Sequence, residues 1–393
     1  MDLSPLRKKF SDIFAIPHNR YFFAPGRINL IGEHTDYNGG NVFPCAITFG
    51  TYGLARKRDN DLIRLYSMNF PESGVIEFSL QDLDYNEEHT WANYPKGIIK
   101  FLLEENYQIN SGVDILYYGN IPSGAGLSSS ASIELVTGVI IDSLFELNVD
   151  RLKLVKIGKK VENEFIGVNS GIMDQFAIGM GSAGCGILLD CQTLKYEYAP
   201  IHLENHHLII MNTNKRRELV SSKYNERRDE CQQALAYIQK LIKIESLGQL
   251  TEQEFEMVKY MIKNETVRKR AKHVVYENHR TLKALKELKN NNLREFGELM
   301  NLSHISLRDD YEVTGLELDT LVEVAWQQPG VIGARMTGAG FGGCAIAIVE
   351  KERTQVFIEN VGKVYKEKIG YETNFYIAGI GDGAKEITME VLQ

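Results

Sequence analysis

The sequence predicts an α+β protein of two domains, and three observations carry that prediction. The chain has 393 residues, more than the roughly 150 that one domain usually takes. It is 44% apolar, 10% aromatic and 24% charged, which supplies a packed core and excludes a disordered or collagen-like chain. Near residue 200 the texture shifts from strands mixed with helices to a stretch of mostly helical period. The boundary is placed there, giving an N-terminal domain of residues 1–200 and a helix-rich C-terminal domain of residues 201–393.

Leu3, Leu6, Phe10 and Phe14 recur at helical spacing, so an amphipathic helix opens the chain. From Tyr21 to Asp82, short apolar runs broken by Gly, Asn and Asp read as strands and turns. Asn93 to Glu104 reads as a helix and Val113 to Tyr118 as a strand. That strand runs into a loop rich in Gly and Ser, and Ile133, Val136, Ile140 and Leu144 then mark one face of a helix. Asp150 is the N-cap of a further helix, whose inner face is Leu154, Ile157, Val161 and Phe165. A Gly-rich stretch from Gly179 to Gly186 precedes strand-like Ile187-Leu188-Leu189. Arg216 to Arg308 is long, charged and helical in period, and Cys344 to Val349 reads as a last strand.

Lys plus Arg number 44 against 52 Asp plus Glu, a net charge of −8. That balance gives no general attraction for nucleic acid or anionic lipid, so an anionic ligand must be held by a local arrangement. Cys45, Cys185, Cys191, Cys231 and Cys344 lie scattered without a C-x-x-C pair. This argues against a disulfide scaffold and a structural zinc site, and fits reduced thiols in a cytosol. The first ten residues lack the apolar core of a leader, and no window approaches about 18 consecutive apolar residues. A cytoplasmic protein without a membrane span is expected.

Three stretches carry candidate chemistry. Gly124 and Gly126, with Ser128, Ser129 and Ser130 after them, stand between a predicted strand and a predicted helix. Glycines allow close approach of a phosphate, and the unsatisfied N–H groups and dipole of the following helix favour an anion. No Gly-Lys-Ser/Thr follows, so this is not a Walker A loop; a plain strand-to-helix turn with a Ser cap is the alternative. Gly338-Ala339-Gly340-Phe341-Gly342-Gly343 contains a formal G-x-G-x-x-G, but a strand follows where a dinucleotide fingerprint needs a helix. A strand–loop–strand hairpin fits better.

Arg27, Asn29, Glu33, His34, Thr35, Asp36 and Asn38 fall within twelve positions among glycines and apolar residues. Carboxylates with a His and an Asn suit the vicinal hydroxyls of a sugar; a Ca²⁺ site lacks the EF-hand spacing, and a solvated loop is the third reading. In Asn169-Ser170-Gly171-Ile172-Met173-Asp174, a lone Asp sits in a Gly- and Met-rich context. It is either a base held ionised by a nearby cation or a helix cap.

Together these stretches resemble the galactokinase family of the GHMP kinases. Pro25-Gly26-Arg27-Ile28-Asn29-Leu30-Ile31-Gly32-Glu33-His34-Thr35-Asp36-Tyr37-Asn38-Gly39-Gly40 is similar to the family's sugar signature. Pro122-Ser123-Gly124-Ala125-Gly126-Leu127-Ser128-Ser129-Ser130-Ala131-Ser132 is similar to its ATP loop, and Thr337 to Gly343 to its third motif. The resemblance implies a GHMP kinase fold with the active site in the cleft between domains. It implies ATP-dependent phosphorylation of the C1 hydroxyl of α-D-galactose, with Mg²⁺, and no obligate protein partner.

Carried over by position, Asp174 is the catalytic aspartate and Arg27 its cationic partner. Glu33, His34, Thr35, Asp36 and Tyr224 are assigned to the sugar. Gly124, Ala125, Gly126, Leu127, Ser128, Ser129 and Ser130 are assigned to the ATP phosphates. Ser130 and Glu162 are assigned to Mg²⁺, with Glu164 as competitor for the second place. Ser67 is assigned to the nucleotide without a distinctive pattern around it. Ser170 departs from the Cys that many relatives carry, and lies outside these roles. The competing readings are a non-catalytic galactose and ATP sensor, opposed by the intact Ser130-Ala131 pair, and a kinase for N-acetylgalactosamine.

Overall fold

Leu6, Phe10 and Phe14 lie buried along one side of α1 (Ser4–Phe14), as their spacing requires. The computed structural model describes residues 3–17, 20–122, 124–215 and 220–387; Ser123 of the first Gly-rich loop and Arg216 at the head of the helical stretch lie outside them. Beyond α1, the strand-rich segment forms β1 (Arg20–Asn29), β2 (Asn41–Val42), β3 (Pro44–Lys57), β4 (Leu62–Ser67) and β5 (Ile76–Ser79). Next come α2 (Asn93–Glu104), with the bounds expected, and β6 (Val113–Gly119). The Gly-rich loop then leads into α3 (Ser129–Phe145), which lies across β1 and β3.

Asp150 caps α4 (Arg151–Lys160), its carboxylate accepting the Lys153 N–H at 3.1 Å. The helix expected to continue through Val161 and Phe165 instead widens into a π turn over Val161–Ile166. The wider turn lets Val161 stay in the core while its neighbour Glu162, also buried, faces Ser130. After it come α5 (Met173–Met180), β7 (Cys185–Asp190), β8 (Tyr196–Pro200) and β9 (His206–Asn212).

The helical stretch resolves into α6 (Val220–Ile238), α7 (Glu252–Val258), α8 (Glu265–Lys289) and α9 (Leu293–Ser306), followed by α10 (Gly315–Trp326). The second Gly-rich loop joins β10 (Val331–Thr337) to β11 (Cys344–Glu350) as an antiparallel hairpin, Thr337 opposite Cys344. Then follow α11 (Thr354–Ile369), β12 (Asn374–Ala378) and β13 (Lys385–Ile387).

The strands make three sheets. The largest has the order β13-β1-β3-β6-β4-β5, in which only β4 and β6 pair in parallel. A second has the order β10-β11-β9-β12, and a small third sheet joins β2, β7 and β8. One apolar core fills the space between the first sheet and α2, α3 and α4, and another lies under the second sheet. A third links Ile28 and Ile47 of the first sheet to Ile210 and Ile346 of the second. The end of β1, the loop before α3, the start of α5 and the β10–β11 hairpin therefore converge. No helix among the described residues is long and apolar enough to cross a membrane.

Candidate active site

At that convergence Arg27 and Asp174 form a two-pronged ion pair. Arg27 reaches from a bulged position of β1, its Nε donating to Asp174 Oδ1 at 2.7 Å and its Nη2 to Oδ2 at 2.8 Å. Asp174 stands in the first turn of α5. Such a fork fixes the plane of the carboxylate as well as its place. Arg27 Nη1 donates to the Gly126 carbonyl at 2.8 Å, and its backbone N–H to the Leu127 carbonyl at 3.2 Å, so the same arginine ties the Gly-rich loop to the aspartate. Ser128 occupies the cap position of α3 in the left-handed region, φ 64°, yet makes no cap bond; its hydroxyl donates to Asp174 Oδ2. The loop is thus more than a capped turn.

Asp174 and Arg27 border a cavity of about 480 Å³ that Glu33, His34, Asp36, Glu162, Ser170 and Tyr224 also line. Glu33, 2% exposed, accepts the Asn29 amide at 3.0 Å, the Gly338 N–H at 2.7 Å and Arg335 at 3.3 Å. Burial still raises its pKa above the ordinary value against the pull of Arg335. His34 is pushed down to about 3 by burial and by His273 nearby, so it is neutral at working pH. Its Nε2 lies 3.2 Å from the Ala339 carbonyl, which can only accept. The proton is therefore on Nε2, and Nδ1 accepts the Tyr37 hydroxyl at 2.8 Å. Tyr37 in turn contacts the Tyr311 hydroxyl at 2.8 Å, and Tyr224 closes the wall with its ring 5.7 Å from that of His34.

Asp36 is pushed up to about 6, by burial first and then by the charge of Asp174. A Cβ on Gly171 would lie 1.7 Å from Asp36 Oδ2, so only glycine lets this carboxylate pack there.

A second cavity of about 460 Å³ lies beside Ser67, Trp91, Tyr94, Gly124, Ser129 and Ser130. Its aromatic and aliphatic wall suits a flat base, and the start of α3 suits an anion. The two cavities are joined by one hydrogen bond: Ser130, on the second, donates to Glu162 Oε1, on the first, at 2.8 Å. A carboxylate with a hydroxyl is a hard-oxygen donor set of the kind Mg²⁺ takes when phosphates and water complete the shell. No cluster of three His, Cys, Asp or Glu able to cage a metal exists among the described residues.

The structure thus brings together Arg27, Glu33, His34, Asp36, Asp174 and Tyr224 on one cavity and Ser67, Gly124, Ser129 and Ser130 on the other. Thr35 is a correction: it is fully buried, its hydroxyl directed to the Gly32 and Asn41 carbonyls, and it lines neither cavity. The side chains of Ala125 and Leu127 are buried in the core, so these residues can offer only backbone groups. Gly126 and Ser128 serve Arg27 and Asp174. Glu164, the competitor of Glu162, is paired with Lys160 at the surface.

Sequence reasoning grouped Asn29 with the candidate sugar ligands, whereas its amide holds Glu33. It missed Arg335, which also fixes Glu33, although an Arg inside the apolar run before Thr337 was a visible signal. It also set Ser170 aside, whose hydroxyl donates to Glu162 Oε2 at 2.5 Å.

Comparison with known proteins agrees with this geometry. The galactokinase galactose-binding signature matches residues 8–57, the GHMP kinases N terminal domain residues 93–182, and the GHMP kinases C terminal domain residues 284–367. A galactokinase of Exiguobacterium sibiricum is 60% identical over 98% of this chain and 99% of its own length. One of Streptococcus thermophilus is 57% identical over 98% of this chain and 99% of its own. The crystal structure of Lactococcus lactis galactokinase complexed with galactose superposes with a TM-score of 0.95 at 55% identity, covering 98% of this chain and 100% of that one. A mevalonate kinase at 21% identity and TM-score 0.64 shares the fold. By these matches along nearly its whole length, and by the site its motifs assemble, the chain belongs to the galactokinase family, sugar kinases of the GHMP superfamily.

Proposed function

We propose that this chain transfers the γ-phosphoryl group of ATP to the C1 hydroxyl of α-D-galactose, giving galactose 1-phosphate, the entry step of galactose catabolism. The observation that carries the reading is the pair of cavities joined through the Ser130–Glu162 hydrogen bond, with Asp174 lining the first. Galactose takes the first, its hydroxyls matched to the Glu33 and Asp36 carboxyls and to Tyr224. ATP takes the second, its phosphates laid along Gly124, Ser129 and Ser130.

A sugar hydroxyl is a weak nucleophile, and Asp174 meets that need by accepting its proton as the oxygen attacks the γ-phosphorus. The bond from γ-phosphorus to the bridging oxygen breaks and ADP leaves. Arg27 holds the Asp174 carboxylate in plane through both oxygens, and Ser128 adds a third bond. Ser130 and Glu162 would hold Mg²⁺, which when bound neutralises charge on the phosphates. Residues 1–200 supply the sugar loop and phosphate loop in this scheme, and residues 201–393 supply Tyr224 and the third motif. The five cysteines, all in thiol form, fit a cytoplasmic setting.

A coupled assay of ADP release with Mg²⁺, ATP and a panel of sugars tests the proposal. Turnover with galactose well above that with N-acetylgalactosamine is expected; calorimetric binding of galactose and ATP without turnover would favour a sensor. The raised Asp36 gives a further expectation. Its carboxylate accepts sugar hydroxyls better than its acid, so kcat/KM for galactose should rise with pH through about 6. Asp36→Asn should remove that limb. Because its ordinary value is 3.8 and its folded value about 6, the folded state binds this proton more tightly than the unfolded chain. The group therefore subtracts from stability as pH rises across that window.

A further inference from the structure

We propose that Glu277, on α8 and outside both cavities, is the positioning residue of the sugar loop; the inference rests on the reading of Glu33 as a sugar ligand. Glu277 is fully buried. Its Oε1 accepts the backbone N–H of Gly32 at 2.9 Å, that of Glu33 at 3.3 Å and the Ser303 hydroxyl at 2.5 Å. Its Oε2 accepts Arg280 Nε at 2.8 Å, which completes the shell of an ionised carboxylate. One turn earlier on α8, His273 Nε2 donates to the Glu33 carbonyl at 3.1 Å.

Both backbone groups of Glu33 are therefore held by one helix, and that helix lies more than two hundred residues away in sequence. The fit is close: Gly32 has φ +96°, and a Cβ there would meet the Asn41 carbonyl at 2.7 Å and the Thr281 hydroxyl at 2.9 Å. The loop cannot shift away from α8 and still place the Glu33 carboxylate between Asn29, Arg335 and the Gly338 N–H. His34 follows by one residue and inherits the same placement. Burial alone would raise the Glu277 pKa, but Arg280 and its other neighbours outweigh it and hold it at about 2, so the clamp is ionised throughout the working range.

A misplacement of about 1 Å in a group that positions substrate costs roughly 100-fold in catalytic efficiency, and at a residue that only holds the sugar the loss falls on its KM. Glu277→Ala should therefore raise the KM for galactose by about 30-fold or more while leaving the KM for ATP within about twofold. Glu277→Gln keeps an oxygen for the loop N–H groups but turns an amide toward Arg280, so it should fall between Ala and the natural residue. It also serves as the readout if the Ala variant does not fold. Steady-state kinetics in both substrates, with calorimetric galactose binding to each purified variant, makes the test. An unchanged KM for galactose, or equal rises for galactose and ATP, would overturn the positioning role. Glu33→Gln run alongside separates the two claims. If it leaves the galactose KM unmoved, the sugar-site reading is at fault; if it raises that KM while the Glu277 variants do not, the clamp is.

Discussion

Asp174→Asn is expected to lower kcat by about 10²–10⁴-fold while galactose still binds within several-fold of its natural affinity. The amide has the size of the carboxylate but cannot take a proton. One of its ends also presents N–H groups to the Arg27 fork, which now meets a donor where it had an acceptor. Asp174→Ala is the less clean experiment. Arg27 has a side chain only 6% exposed, and losing the carboxylate leaves its charge buried without its partner. Asp174 is itself 29% exposed, so the stability cost is held to at most about 3 kcal/mol. Single-turnover rates with calorimetry on the Asn variant separate chemistry from binding. A kcat within twofold of the natural enzyme would remove Asp174 from the mechanism.

Glu33→Gln should raise the KM for galactose by about 10–100-fold, a loss of roughly 1.4–2.7 kcal/mol, with the KM for ATP nearly unmoved. The reason is local. Oε1 of Glu33 accepts from Gly338 and Arg335, and Oε2 from the Asn29 amide. A glutamine can keep only one of these sides. If its oxygen stays with Gly338, its NH₂ faces the NH₂ of Asn29. Asn29 cannot turn over to relieve this, because its own oxygen accepts the Phe43 N–H at 3.1 Å. The donor clash should also lower stability by about 1–3 kcal/mol, measurable as a shift in the denaturant midpoint. A rise in the ATP KM instead of the galactose KM would show that the sugar site lies elsewhere.

What could be read in the sequence was mostly local. The bounds of α2, the Asp150 cap and the strand–loop–strand form of residues 338–343 all follow from signals within a few positions of each other. β9 was missed because Leu208-Ile209-Ile210-Met211 is apolar on both faces. A central strand of that kind shows no alternation. The π turn at Val161 escaped because nothing in its composition differs from an ordinary helix.

In the site, the glycines and carboxylates of the sugar loop were legible, and the resemblance supplied roles that spacing alone left open. Partners far away in the chain were not legible. Arg335 meets Glu33 across a gap of 302 positions, and no pattern near either residue announces the other. Thr35 shows the converse case, a polar residue inside a recognition motif whose hydroxyl serves the loop's own backbone. Ser170 looked incidental in sequence because its bond to Glu162 depends on the π turn that brings the carboxylate round.

The return of the chain to its first sheet has a consequence for how the protein is made. β13 pairs with β1, Tyr21 opposite Ile387, and Arg20 is bridged to Glu386 across 366 positions. A ribosome adding about 5–20 residues per second exposes β1 on the order of 20–70 s before its neighbour exists. During that interval β1 is an unpaired border with free amide and carbonyl groups, open to strands of other nascent copies. Closing this border is a late step of high contact order, which places slow folding and aggregation at the same seam. Yield at high expression should thus be limited by how long that border stays open, well before galactose or ATP can contribute any stabilisation by binding.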